Sequence, residues 1–407
     1  MRAAAPEPRP PRRRTPALRP LVGIGVGVVI LVAAVVVGRA GRWERREPTR
    51  PAQAAVTSSP VADSPAVTAL RPSQYGARPL RGVPLRGPTG LRLLISGELI
   101  PIVLEVDRGT IQPITGLPTD KDRLVRIEAV GQDAIVVSER SRPVNDPLRV
   151  ADVFWLRHGG TVHGGTVATR LGVGADAAAS GDGRGVWLLS YRDQAEMRCI
   201  LSQVGLDGRQ RRPARPMPCQ TRLLQEVPAG LLIDDGSALV NPGGGVVRLD
   251  GRYTEPAGGS FVLRGAEAGE PIILADLRGD ARWWLDWPSQ VDGPQAGMGP
   301  VRRHPDGRLA VVGFGDPADP GPEQALDVWL LDLTTRRWQQ LPDMPARVAI
   351  KATDMRWTAD GRLVILTELA ESDEQSTVVA VWRPGEPRIA VRQVQLPQET
   401  GGSFVLW

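Results

Sequence analysis

A tripeptide that returns along the chain constrains its fold more than any other feature. Asp-Gly-Arg starts at Asp182, Asp207, Asp250, Asp306 and Asp360, each time between short apolar runs. Asp-Gly in that setting is a hairpin signal, because a two-residue type I′ turn needs positive φ at both central positions. The flanks repeat too. Val204-Gly205-Leu206-Asp207-Gly208-Arg209 is matched by Val247-Arg248-Leu249-Asp250-Gly251-Arg252, 43 residues on. Asp306-Gly307-Arg308-Leu309 returns as Asp360-Gly361-Arg362-Leu363, 54 residues on. Gly-Gly-Ser-Phe-Val-Leu stands at 258–263 and again at 401–406.

Units of roughly 43–54 residues with four short strands each are the mark of an all-β β-propeller. Composition agrees: 46 Gly and 38 Pro make a turn-rich chain and exclude a helical bundle or coiled coil. The last unit reads as strands over 354–358, 362–368, 376–382 and 389–396, and the unit before it as 301–304, 308–314, 327–333 and 337–341. Trp357-Thr358-Ala359-Asp360-Gly361-Arg362-Leu363 and His304-Pro305-Asp306-Gly307-Arg308-Leu309 resemble the aromatic-Ser-Pro-Asp-Gly turn of WD-like propellers, including the TolB-type group. Asp327–Leu333 with Trp338–Pro342 looks like the outer strands of a kelch blade. The resemblance is strong over 300–397, weak over 91–300, and implies architecture. Residues 91–407 hold six or seven such units, and seven is preferred. The final run, Ser403 to Trp407, is expected to complete the first blade beside Leu99 to Val106, tying the ends of the ring together.

Before the repeat the chain reads differently. Residues 1–20 form an Arg- and Pro-rich tail, expected in the cytoplasm. Leu21 to Gly38 is eighteen residues without a charge, about 27 Å as a helix, which matches a bilayer's hydrocarbon thickness. A retained signal-anchor is preferred over a cleaved signal peptide, since an h-region is usually shorter. Six Arg precede the span and five follow it closely, which places the N-terminus inside and the body outside. Residues 39–90, rich in Pro, Ala and Ser, read as a disordered linker. The first fifty residues carry 11 Arg and 3 Glu, so the remainder is mildly acidic and gives no reason to expect nucleic acid.

Chemistry is sparse. Cys199 and Cys219 flank the Asp207-Gly208 turn, and a disulfide between them suits an oxidising exterior. His158, His163 and His304 lack the spacing and partners of a metal site, so no metal or other cofactor is expected. Trp283, Trp284 and Trp287 form the densest aromatic cluster; ligand stacking is one reading and inter-blade packing the other, with alternation placing Trp283 and Trp284 on opposite faces. Asp182 and Asp234 read as turn residues, and no nucleophile elbow, zincin, P-loop or dinucleotide fingerprint occurs. The expectation is therefore a membrane-tethered propeller, not an enzyme, that binds a protein or envelope polymer. An envelope enzyme for glycans or peptides with a channel site, and a sensor or accessory factor, are the alternatives.

Overall fold

The computed structural model describes residues 77–407 apart from 81, 98–99, 119–122, 141–149, 163–164, 194–196, 235, 250–254, 259–260, 265–270, 280, 289–296, 316–323, 372–373 and 398–399. The tail, the expected span at 21–38, most of the expected linker, His163 and Asp250 lie outside the described residues. Among the described residues no helix is long and apolar enough to cross a membrane.

The fold is all-β, built of small antiparallel sheets, as the repeat implied. Four strands in chain order make each set. One comprises Arg123–Val130, Asp133–Arg140, Ala151–Val162 and Gly165–Gly174; the next Asp176–Ala179, Gly185–Asp193, Arg198–Gly205 and Gln210–Pro218. Leu223–Val227, Gly230–Ile233, Ala238–Val240 and Val246–Arg248 follow, then Glu255–Gly258, Phe261–Arg264, Ile272–Asp276 and Ala281–Leu285. Gly297–Arg303, Leu309–Gly315, Gln324–Asp332 and Arg337–Gln340 precede Ala346–Trp357, Leu363–Glu371, Glu374–Trp382 and Ala390–Val394.

The remaining set joins both ends of the domain. Thr400–Leu406 pairs with Arg92–Gly97 in the register Leu93 to Leu406, Leu94 to Val405 and Ile95 to Phe404. Ile102–Glu105 and Thr110–Thr115 continue that sheet outward. The last strand thus completes the first set, but its neighbour is Arg92–Gly97 and not the run from Leu99. Leu93, Leu94 and Ile95 are all fully buried, which suits the doubly covered position.

Period-two alternation sends each strand's two faces into different cores. Phe404 and Leu406 pack with Val364 and Leu366 of the preceding set, while Val405 and Trp407 pack with Ile127 and Val136 of the following one. Leu363 and Ile365 face the other way, onto Val328 and Leu330.

Two details differ from expectation. In the turns at Gly183, Gly208, Gly307 and Gly361 only the glycine has positive φ, so they are not type I′. Gly183, Gly307 and Gly361 donate their N–H three residues back to Ser180, His304 and Thr358, and Asp182, Asp207 and Asp306 each accept the N–H two residues on. Asp serves as a local acceptor and Gly supplies the left-handed step. The expected linker also ends early. Arg78–Pro79 pairs with Ala346 and Arg347, and Val83–Pro84 pairs with Ala390 and Val391. Leu80 is buried among Leu341, Trp382 and Ile389. Backbone bonds from Val83 to Ile389 and from Leu85 to Val391 hold this strap, which its prolines disguised as linker.

Candidate functional site

The first strands of successive sets touch one another in turn: Thr400–Leu406, Arg123–Val130, Asp176–Ala179, Leu223–Val227, Glu255–Gly258, Gly297–Arg303, Ala346–Trp357, and again Thr400–Leu406. Charged side chains along them are tied across the sets. Arg126 donates to Asp176 Oδ1 at 3.0 Å and to the Ala177 carbonyl. The same Oδ1 accepts the Ala177 N–H at 2.9 Å, and Oδ2 accepts the N–H of Leu223, one set further on, at 2.9 Å. The arrangement recurs. Arg302 donates to Asp354 Oδ1 at 2.8 Å and to the Met355 carbonyl at 3.0 Å. Asp354 accepts the N–H of Met355 at 2.7 Å and of Phe404 at 3.3 Å. One carboxylate thus links three consecutive first strands, and this pairing is what admits a charge to so dry a place.

Burial pushes the Asp354 carboxyl up, opposed by the charge of Arg302 and by the Met355 and Phe404 N–H groups. Glu128 is likewise raised by burial, against the pull of Arg126, 2.9 Å away. Glu226 takes the Gly181 N–H at 2.8 Å and lies 3.5 Å from Arg212. Asp327, fully buried, accepts from Gln340 at 2.9 Å and is raised by burial.

The residues singled out in the sequence separate. Cys199 and Cys219 form a disulfide, with Cα atoms 5.1 Å apart, buried between two sets beside Trp187 and Leu231. Trp283 and Trp287 pack against the core that includes Phe314. The Trp283 ring lies 6.0 Å from Phe261 with the Arg336 guanidinium 5.4 Å above it, and Trp287 lies 5.7 Å from Phe314. Trp284 sits in register with Ile273. His304 packs edge-on against Trp357 at 4.6 Å with Nδ1 3.0 Å from Asp306, while exposed His158 packs edge-on against Trp407 at 5.4 Å. Asp182 accepts from Ser180 and Arg211, the Arg211 hydrogen bond lowering its pKa most. Among the described residues no group of three His, Cys, Asp or Glu could hold a metal ion.

A cavity of about 370 Å³ opens between the sets ending in Val246–Arg248 and Ala281–Leu285. Its wall is apolar, formed by Leu239, Val247, Leu249, Ala275 and Leu277, with Asn241, Asp276, Arg278 and Arg282 supplying its polar groups. No short-range pattern announces it, because the lining comes from two repeats.

No family model and no curated protein matches the chain. Among solved structures it is similar to a putative 6-phosphogluconolactonase from Bacteroides fragilis, with 12% identity, a TM-score of 0.46, and 79% of this chain and 99% of that one covered. A second, from Bacteroides uniformis, has 12% identity, a TM-score of 0.42, and coverage of 78% and 99%. The β-propeller domain of the Trilobed protease from Pyrococcus furiosus has 10% identity, a TM-score of 0.42, and coverage of 77% and 98%. All three carry an enzyme's name, and the two lactonase structures stand against the expectation that the body is not an enzyme, which is corrected to the extent that activity is left open; a likeness at this identity speaks to the fold alone. That expectation rested on missing linear motifs, and a propeller assembles its sites from loops far apart in sequence, where such motifs do not form.

Proposed function

We propose that the chain is a single-pass, membrane-tethered propeller of seven blades whose body stands outside the cytoplasm and binds a protein or polymer of the cell envelope. Cys199–Cys219 carries the reading: the two cysteines of the chain are joined and buried, which belongs to an oxidising compartment. The charge-free run Leu21–Gly38 is the proposed anchor, with the N-terminus in the cytoplasm. The unbroken circuit of contacts among the first strands supports a closed ring with each four-stranded set as one blade. The turns at His304–Leu309 and Trp357–Leu363 keep the likeness to WD-like and TolB-type propellers. Ion pairs among the first strands tie the blades to each other, and this leaves the outer surfaces and clefts of the ring as places for a partner. Crosslinking in intact cells, followed by membrane fractionation, tests the reading. The chain should sediment with membranes and carry a crosslinked envelope component; recovery in the soluble fraction with no crosslinked species would refute it.

A further inference from the structure

Every blade of an open-edged propeller ends in an outer strand whose free N–H and C=O groups invite pairing, and proteins normally blunt such edges. Most outer strands here are blunted. Thr110–Thr115 and Gly165–Gly174 pair with each other across two sets, with Ile114 opposite Thr166. Ala390–Val394 is covered by the strap at Val83–Pro84. Gln210–Pro218 contains Pro213, Pro216 and Pro218, which have no N–H to offer. Arg337–Gln340 carries Arg337, Gln339 and Gln340 around a Trp338 that packs on the apolar core and donates to the Asp286 carbonyl. On Ala281–Leu285 the Arg336 guanidinium lies over Trp283.

Val246–Arg248 has none of these devices. It is the last strand of its sheet, and all three residues are exposed, Val246 at 54% and Val247 at 48%. Its hydrogen bonding also leaves a usable edge. The Leu249 N–H donates to Ser237, and the Asn241 N–H donates to Gly245. Antiparallel ladders alternate, so Gly245, Val247 and Leu249 turn their polar groups toward Ala238–Val240, while those of Val246 and Arg248 point away. Val247 also forms part of the 370 Å³ cavity wall.

Among the described residues the surroundings are basic. Arg278 and Arg282 stand at the cavity and Arg248 on the strand itself. Arg215 reaches the turn that leads into the strand, so close that a side chain at Gly244 would lie 2.6 Å from its guanidinium nitrogen. Asp276 is the one acidic residue among the cavity-lining residues described.

We infer that Val246–Arg248 is a docking edge for an extended acidic segment of a partner protein, which adds a strand there and directs carboxylates toward exposed Arg278. Backbone bonds to Val246 and Arg248 supply register, the apolar wall accepts the intervening side chains, and Arg278 selects charge. The inference builds on the binding reading above by naming a surface and a class of partner.

The test uses the full-length chain in detergent and a fluorescent peptide of alternating threonine and glutamate, with binding followed by anisotropy. The peptide should bind saturably, lose affinity as salt is raised, and outbind the threonine–lysine peptide. Val246→Pro removes an outward N–H and leaves the inner ladder intact; it should weaken binding by about tenfold or more. Exposed Arg278→Glu, which touches no ladder bond, should do the same. Absence of saturable binding, equal affinity for the lysine peptide, or unchanged affinity in Arg278→Glu would overturn the proposal. If binding to this edge fails while the crosslinked envelope component is still recovered, this surface is wrong and the wider binding reading stands.

Discussion

Deleting Gly401–Trp407 removes the strand that joins the end of the domain to its beginning. Phe404 and Val405 are each 1% exposed and Trp407 9%. Fully burying such side chains contributes about 1.5–3 kcal/mol each, so the three together contribute roughly 5–9 kcal/mol before strain and entropy. The deletion also uncovers Leu93, Leu94 and Ile95 on the partner strand and takes the Phe404 N–H from buried Asp354 and the Phe404 carbonyl from Arg356. Leaving such groups unsatisfied adds about 1–3 kcal/mol each. A whole domain is stable by roughly 5–15 kcal/mol, so the truncated chain should not keep its native ring at physiological temperature. Thermal unfolding followed by circular dichroism, with light scattering to detect aggregation, reads this directly. The milder Phe404→Ala should cost about 3–5 kcal/mol. A truncated chain that melts within about two degrees of the full one would refute the closure argument.

Three further outcomes follow from the same contacts. Arg302→Ala leaves Asp354 buried with only Arg356, 3.0 Å away, as a charged partner, and should lower stability in urea by about 3 kcal/mol, while exposed Arg209→Ala should change it by less than about 0.5 kcal/mol. Reducing the disulfide, or making Cys199→Ser with Cys219→Ser, opens a loop of sequence separation 20 and should cost about 3 kcal/mol, measured as a shift in the denaturant midpoint. Asp107 carries an acid-dependent increment. Burial opposes its ionisation, yet hydrogen bonds from Thr89, Gly90 and Arg392 prevail and hold its pKa at about 2 against an ordinary 3.8. Because the folded value is the lower one, this stabilisation is full above about pH 4 and is lost as pH falls toward 2; Asp107→Asn should flatten the melting-temperature profile across that window.

The sequence makes visible what depends on local chemistry. The glycine turns at 307 and 361 and the strands around them follow from neighbours in the chain, as does the proximity of Cys199 and Cys219 across one hairpin; the closing strand shows through the repeat of Gly-Gly-Ser-Phe-Val-Leu at 258–263 and 401–406. What stays hidden depends on residues about fifty positions apart. Nothing local marks Arg126, Asp176 and the Leu223 N–H, or Arg302, Asp354 and the Phe404 N–H, as one construction. The strap is missed for another reason: the Pro-rich run around Leu80 has no strand periodicity, and its order comes from the apolar pocket it fills. The exposed edge at Val246 is legible only once the fate of the other outer strands is known. Trp283 and Trp287 show the limit of composition, since an aromatic-rich segment reads alike whether it packs a core or meets a ligand.

The central claim is that the body stands outside the membrane on a short tether, and protease added to intact spheroplasts tests it most directly. The account predicts that external protease cleaves the stretch before residue 77 and releases a body containing linked Cys199 and Cys219, while a cytoplasmic marker stays intact. A chain that remains full-length until the membrane is broken, with both thiols then open to alkylation without reductant, would contradict it.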